Sequence, residues 1–358
     1  MDPKELEILF DKLKTDFDQA VNNLDKGLDI ILNQPNPDVG VTPKYTIHTE
    51  RRLKVYRYKQ QKKKISKPPL LIINSLINGY YILDLLPGFS LVDYLVSNGI
   101  DIYTTHWARP ENEEKNVSFD YHITGYLHNA VEEIKSDAGV DKVNILGYCM
   151  GGNLGMIYSA LYPENVNSFI SLAAPVDFKL GGVLSTWANA EVVNVEEFID
   201  AFGNLPTHIM DMVFPWIKPS ERIKATSILF KNPENTFYSK LYKAIMQWRE
   251  DNSPLPGNFT KKYLKELYQQ NKLFKGTLKI DDKTINLKDI KCPVLNITAT
   301  NDFITPPESA RPLLDMVGSD DKEPLEITGG HLDIILNLFA RKPAWEKLLA
   351  WINKHSYK

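Results

Sequence analysis

The chain has 358 residues, 42 of them Lys or Arg against 45 Asp or Glu, for a formal net charge of −3. That balance gives no broad field with which to grip nucleic acid or an acidic membrane, and an apolar fraction of 43% argues against a disordered polymer. Cys149 and Cys292 are the only cysteines, so a disulfide framework is not expected and a reduced, cytoplasmic setting is. The N-terminus lacks the basic-then-apolar order of a signal peptide. No apolar run reaches the roughly 20 residues a membrane span needs.

Along the chain, Leu6, Leu9, Phe10, Leu13, Phe17, Val21, Leu24, Leu28 and Ile31 recur at three- and four-residue steps, which predicts a helix over 3–32. Such a stripe is expected to pack on its own domain, with a docking surface for a partner as the alternative. Three prolines and Gly40 then end the pattern between Asn33 and Pro43. Strand-like runs follow at 45–48 and 53–58, and the lysine-rich stretch 59–64 reads as a solvated loop. Leu70-Leu71-Ile72-Ile73-Asn74 is a continuous apolar run, as expected of a strand buried on both faces of a parallel sheet.

Helices predicted near 90–98, 121–136 and 150–161 alternate with strands near 101–105, 143–146 and 168–173. This rhythm indicates βαβ units with right-handed crossovers. It lapses after Pro175 into an aromatic-rich, mostly helical stretch and resumes at Val294–Thr298 and Pro324–Ile327. The expected organisation is an α/β core with a mostly parallel central sheet, its first part over 1–175, an inserted helical cap over 176–290, and the remainder over 291–358. Most cap aromatics, Trp216 and Trp248 among them, are expected to be ordinary core.

The chemistry gathers at Gly147-Tyr148-Cys149-Met150-Gly151-Gly152, between a predicted strand and a predicted helix. A nucleophile on so sharp a turn needs neighbours almost without side chains. A helix N-terminus also favours the thiolate. In the chain order this fold uses, an acid and then a histidine follow the nucleophile. Asp302 stands in a strand-end loop that closes on Pro306-Pro307, and His331 follows the last strand behind Gly329-Gly330. Cys149, Asp302 and His331 are therefore the expected triad, with Asp333 a weaker substitute for the acid. Cys292 is expected to be a buried small apolar residue. The oxyanion donors are expected to be the backbone N–H of Met150 and that of Ile77 or Asn78. Neither a metal-ligand spacing nor a nucleotide fingerprint occurs, so no metal or cofactor is implied.

Several segments together resemble the polyhydroxyalkanoate synthases: the cysteine elbow, Ile77-Asn78-Gly79-Tyr80-Tyr81-Ile82-Leu83-Asp84, Thr105–Pro110, Trp248–Asp251, Tyr268–Leu273 and Gly329-Gly330-His331. The short length is similar to the class III catalytic subunit. The resemblance implies an α/β-hydrolase fold, a 3-hydroxyacyl-coenzyme A substrate (short-chain, 3-hydroxybutyryl), an acyl thioester on Cys149 and a growing polyester chain. It also implies a separate non-catalytic partner subunit, a homodimer, and a place at the surface of polyester granules. Asn271 and Tyr80 are its substrate-side candidates. Phe303 departs from the family's histidine beside the triad aspartate. A cysteine-type esterase or intracellular polyester depolymerase, and a catalytically silent granule-binding scaffold, are the competing readings.

Overall fold

A computed structural model describes residues 2–62, 66–337 and 339–356. Lys63 and Lys64, from the lysine-rich stretch, lie outside the described residues. Eight strands form the central sheet: β1 (Lys44–Glu50), β2 (Leu53–Tyr58), β3 (Ser66–Ile73), β4 (Ile100–Trp107), β5 (Val143–Tyr148), β6 (Val166–Leu172), β7 (Val294–Ala299) and β8 (Lys322–Ile327). Their spatial order is β1-β2-β4-β3-β5-β6-β7-β8. Only β2 runs against its neighbours.

The period-two alternation of a strand decides which residues meet which helices. Leu71, Ile73, Tyr103, Ile145 and Phe169 face one side, where Leu154, Met156 and Ile157 of α4 (Met150–Leu161) pack with Val131 and Ile134 of α3 (His128–Ala138). Leu70, Ile72, Ile102, Leu146 and Ile170 face the other, covered by α2 (Leu91–Ser97) and by α9 (Arg341–Lys354) through Trp345, Leu348 and Ile352. With both faces covered, the inner strands carry apolar residues on either side, and β3 reads as the unbroken run Leu70–Ile73, although buried polar residues such as Asn144, Ser171 and Asn296 interrupt β5, β6 and β7. The helix expected over 121–136 departs from the simple pattern: Phe119–Tyr121 leads into a wider π turn at His122–Leu127 before α3.

Between β6 and β7 lie α5 (Val195–Phe202), α6 (Thr207–Ile217), α7 (Pro219–Lys231), α8 (Thr236–Glu250) and Gly257–Lys262, which runs into a second π turn at Tyr263–Gln269. At the other end of the chain, α1 (Pro3–Leu32) has the predicted extent, its start fixed by an Asp2/Glu5 capping box. Its surroundings differ from expectation: residues 4–22 are exposed throughout, and contact with the body begins only near Asn23. Among the described residues no helix is long and apolar enough to cross a membrane.

Candidate active site

Cys149 occupies the single residue between β5 and α4, at φ 53° and ψ −122°. A side chain in this region carries strain on the order of 1–3 kcal/mol, held in place by the surrounding structure. Here the holding is visible. The Cys149 N–H donates to the Leu172 carbonyl of β6 at 2.9 Å, and the Cys149 carbonyl accepts from the Gly152 N–H at 2.9 Å. The glycines are dictated by close approach: a Cβ on Gly151 would stand 2.1 Å from the Ile73 carbonyl oxygen, and one on Gly152 2.3 Å from Cβ of Ala174. Met150 begins α4, so its N–H is one of the amides a helix start leaves unpaired.

The acid and the base are positioned by two loops stitched together. The Asn301 N–H donates to the Gly329 carbonyl at 2.7 Å, and the Gly329 N–H donates to Thr300 Oγ1 at 3.2 Å. Asp302 is buried, and its Oδ1 accepts the N–H groups of Ile304 and Thr305, each at 2.8 Å. That leaves Oδ2 for His331 Nδ1, at 2.6 Å. The carboxylate therefore cannot rotate away, and with Nδ1 engaged the imidazole is left with its Nε2 edge for Cys149, whose charge acts on the ring.

Asp333 is placed differently. It accepts the Gly330 N–H as the first residue of a short helix, closing the turn that presents His331. Gly329, at φ +139°, leaves no room for a Cβ beside that carboxylate.

Burial is the largest influence on the His331 imidazole and pushes its pKa down. The charges of Asp302 and Cys149, with their hydrogen bonds, outweigh it and raise the value from 6.5 to about 10. His331 is thus a strong acceptor for the thiol proton. Cys292, by contrast, is half-buried on the strand-entry side, and burial pushes its thiol up to about 12. The full burial expected of it is only partly met: it packs against the edge of the core.

Around the thiol, the Tyr148 ring lies tilted against that of His331, centroids 5.3 Å apart. Tyr263 and Tyr268 approach from the π turn of the inserted segment. Their hydroxyl pKa values are raised first by burial, with the Cys149 charge adding to it. Tyr263 donates to Asn153 Oδ1 at 2.8 Å, tying that turn to α4. Sequence reasoning named none of these three tyrosines as site residues, though Tyr148 lies inside the elbow and Tyr268 inside the Tyr268–Leu273 block.

The loop after β3 is clamped by the inserted segment. Trp248 Nε1 donates to the Gly79 carbonyl at 2.8 Å, the Ser253 N–H to the Ile77 carbonyl at 2.6 Å, and Asn78 pairs with Asn252. The Ile77 N–H is occupied by Ser75 Oγ at 3.2 Å. The Asn78 N–H has no hydrogen-bond partner among the described residues.

Asn271 is 2% exposed at φ 53°. Its Oδ1 accepts the Phe178 N–H at 2.9 Å and its Nδ2 donates to Asp177 at 2.8 Å, so the amide is taken up inside the protein. Tyr80 packs with Tyr56 and His106 of β2 and β4, ring centroids 5.3 and 4.9 Å away, under Lys44. Phe303 is 44% exposed, with Lys218 from the junction of α6 and α7 4.0 Å above its ring.

Residues 68–338 match the alpha/beta hydrolase fold family, and residues 33–95 match the family described as poly-beta-hydroxybutyrate polymerase (PhaC) N-terminus. The monoglyceride lipase of Saccharomyces cerevisiae superposes with a TM-score of 0.55 at 16% identity, over 91% of this chain and all of that one. A thermophilic esterase from Thermogutta terrifontis gives 0.51 at 11%, over 87% and 98%. These likenesses speak to fold alone. The poly(3-hydroxyalkanoate) polymerase subunit PhaC of Haloferax mediterranei is 33% identical over 89% of the chain, which spans 65% of that relative's length. The PhaC subunit of Allochromatium vinosum is 31% identical over 98% of the chain and 99% of its own. With an end-to-end relative above 30% identity, the chain belongs to the poly(3-hydroxyalkanoate) polymerase family, PhaC, built on the α/β-hydrolase fold.

Proposed function

We propose that the chain is an acyltransferase that polymerises 3-hydroxyacyl groups from coenzyme A thioesters, holding each acyl group on Cys149. The observation that carries this reading is the chain of contacts Asp302–His331–Cys149 at a strained elbow, inside a PhaC-family sequence. His331 Nε2 takes the Cys149 proton, and the sulfur attacks the thioester carbonyl. The oxyanion is stabilised by the N–H of Met150 and of Asn78, the latter favoured over Ile77 because Ser75 already engages Ile77. The carbon–sulfur bond to coenzyme A breaks, His331 returns the proton to the leaving thiolate, and a thioester remains on Cys149.

In the second half a hydroxyl, from another monomer or the chain end, gives its proton to His331 and attacks that thioester. The Cys149 sulfur leaves and an ester forms. Acylation itself prepares His331 for this step. The Cys149 charge and hydrogen bond that help hold the imidazole proton vanish once the sulfur is acylated, while burial persists. Water competes with the hydroxyl, and the aromatic lining from Tyr148, Tyr263 and Tyr268 supports its exclusion. The short-chain preference, the non-catalytic partner subunit and the granule surface belong to the same reading. Asn271 would then act indirectly, by holding the segment that carries Tyr268, and Tyr80 by packing behind the oxyanion loop.

The test is incubation with 3-hydroxybutyryl-coenzyme A, alone and with a class III partner subunit, following free thiol and polymer. Thiol with polymer is expected. Thiol with only free acid would identify a hydrolase instead. No thiol, unchanged by Cys149→Ala, would leave a scaffold.

A further inference from the structure

Tyr148 is the last residue of β5, directly before the nucleophile. The alternation of the strand puts it on the face of Leu146, in the core of Leu172, Ile297 and Ile327 against which Cys149 and Leu332 also pack. With its ring against that of His331, the side chain is a neighbour of both nucleophile and base. It is 2% exposed, and its hydroxyl is buried without a hydrogen-bond partner among the described residues. Tyrosine hydroxyls inside a protein ordinarily find a partner, so an orphan beside a triad calls for a cause.

The polar groups nearby offer it none, because they are already committed. Asp302 gives Oδ1 to the N–H groups of Ile304 and Thr305 and Oδ2 to His331. Asn153 accepts from Tyr263 and donates to the Pro175 carbonyl at 2.6 Å. Asn271 is held by Phe178 and Asp177. Burial first, then the charges of Cys149 and Asp302, keep the Tyr148 proton well above the usual phenol range. The group therefore stays a neutral O–H that can donate one hydrogen bond and accept another.

A group that can do both is well matched by a second hydroxyl. If the acyl group carried by Cys149 is a 3-hydroxyacyl, its hydroxyl stands on the second carbon beyond the thioester carbonyl and cannot lie far from the sulfur. The carbonyl oxygen has the backbone N–H groups of Met150 and Asn78. The 3-hydroxyl needs a partner of its own, since burying it unpaired would count against binding.

We propose that the Tyr148 hydroxyl recognises the 3-hydroxyl of the acyl substrate, which makes Tyr148 the residue that selects 3-hydroxyacyl thioesters over unsubstituted ones. The inference rests on the functional reading above. No proton changes hands in this contact: Tyr148 binds, and His331 remains the base.

The test follows acylation of the full chain in a single turnover, by released coenzyme A and by the mass of the acyl-enzyme. Its two substrates are 3-hydroxybutyryl-coenzyme A and butyryl-coenzyme A, which differ only in that hydroxyl. Below saturation the wild-type protein is expected to react roughly 10–100-fold faster with the hydroxy substrate, the worth of a buried hydrogen bond whose partner would otherwise stay unpaired. Tyr148→Phe keeps the ring and is expected to lose that preference, the two thioesters reacting at similar rates. A structural defect would instead slow both alike and keep the preference.

The melting temperature of Tyr148→Phe is expected to be unchanged or raised, because no bond to the protein is lost; a clear fall would mark the hydroxyl as structural and overturn the proposal. No preference in the wild type, or the same preference in the variant, overturns the role of Tyr148 and leaves the functional reading standing. No coenzyme A from either thioester overturns the functional reading, and this inference with it.

Discussion

Alkylation of Cys149 tests the electrostatic account of the site most directly. At mildly alkaline pH iodoacetamide should modify Cys149 and spare Cys292, whose thiol is held up to about 12. Of the influences that raise His331 to about 10, alkylation removes the Cys149 charge and hydrogen bond, leaving Asp302 alone against burial, the largest opposing effect. The His331 pKa is therefore expected to fall by at least one unit, about 1.4 kcal/mol of lost preference for the charged ring. Heteronuclear NMR of the imidazole nitrogens between pH 5 and 11 would follow it.

The stability consequence has a definite sign. A group raised from 6.5 unfolded to about 10 folded contributes stability that is complete below 6.5 and lost as the pH rises through about 10. The untreated protein should lose stability across that window, and the alkylated protein should lose less. An alkylated protein whose His331 still titrates near 10 would refute the ion-pair account, and with it the idea that acylation frees His331 to act as a base.

Asp302→Asn keeps the shape but forfeits the charge that orients His331, and should lower kcat by about 10³–10⁴ in a coenzyme A release assay. Gly151→Ala forces a Cβ to within 2.1 Å of the Ile73 carbonyl, so it should cost more than the roughly 1–3 kcal/mol of ordinary overpacking and abolish thiol release. Asn271→Ala strands the Phe178 N–H and a buried Asp177 interaction and should lower stability by about 2 kcal/mol in denaturant titration. Trp248→Phe preserves the packing but releases the Gly79 carbonyl, and should reduce kcat severalfold with KM little changed.

What could be read in the sequence was whatever is local to the chain. The elbow is covalently local: strand, glycine, nucleophile, glycine and helix occupy adjacent positions, so the sterics of Gly147, Gly151 and Gly152 leave a direct trace. Asp302 and His331 are distant from Cys149 but each sits at a strand end, and the order of strands in the sheet brings strand ends together. Tyr263 and Tyr268 leave no such trace. They reach Cys149 from a π turn in a segment whose path depends on long-range packing, and nothing in their spacing distinguishes them from core aromatics. The choice between Ile77 and Asn78 was equally invisible, because it turns on where the Ser75 hydroxyl points.

The helix α1 shows a different limit. Its amphipathic pattern was read correctly, yet the pattern states only that one face is to be buried, not which molecule buries it. In the cap the apolar residues are matched by neighbours on the same chain: Leu241, Ala244 and Trp248 of α8 join the core that also packs Cys149. Along α1 the same periodicity leaves the stripe exposed up to residue 22. A stripe of this quality on a helix exposed over most of its length is a requirement on the environment that the fold of the chain itself does not meet. The triad and the helix thus differ in kind: Cys149, Asp302 and His331 come together through the fold of one chain, whereas the apolar face of α1 is left uncovered by it.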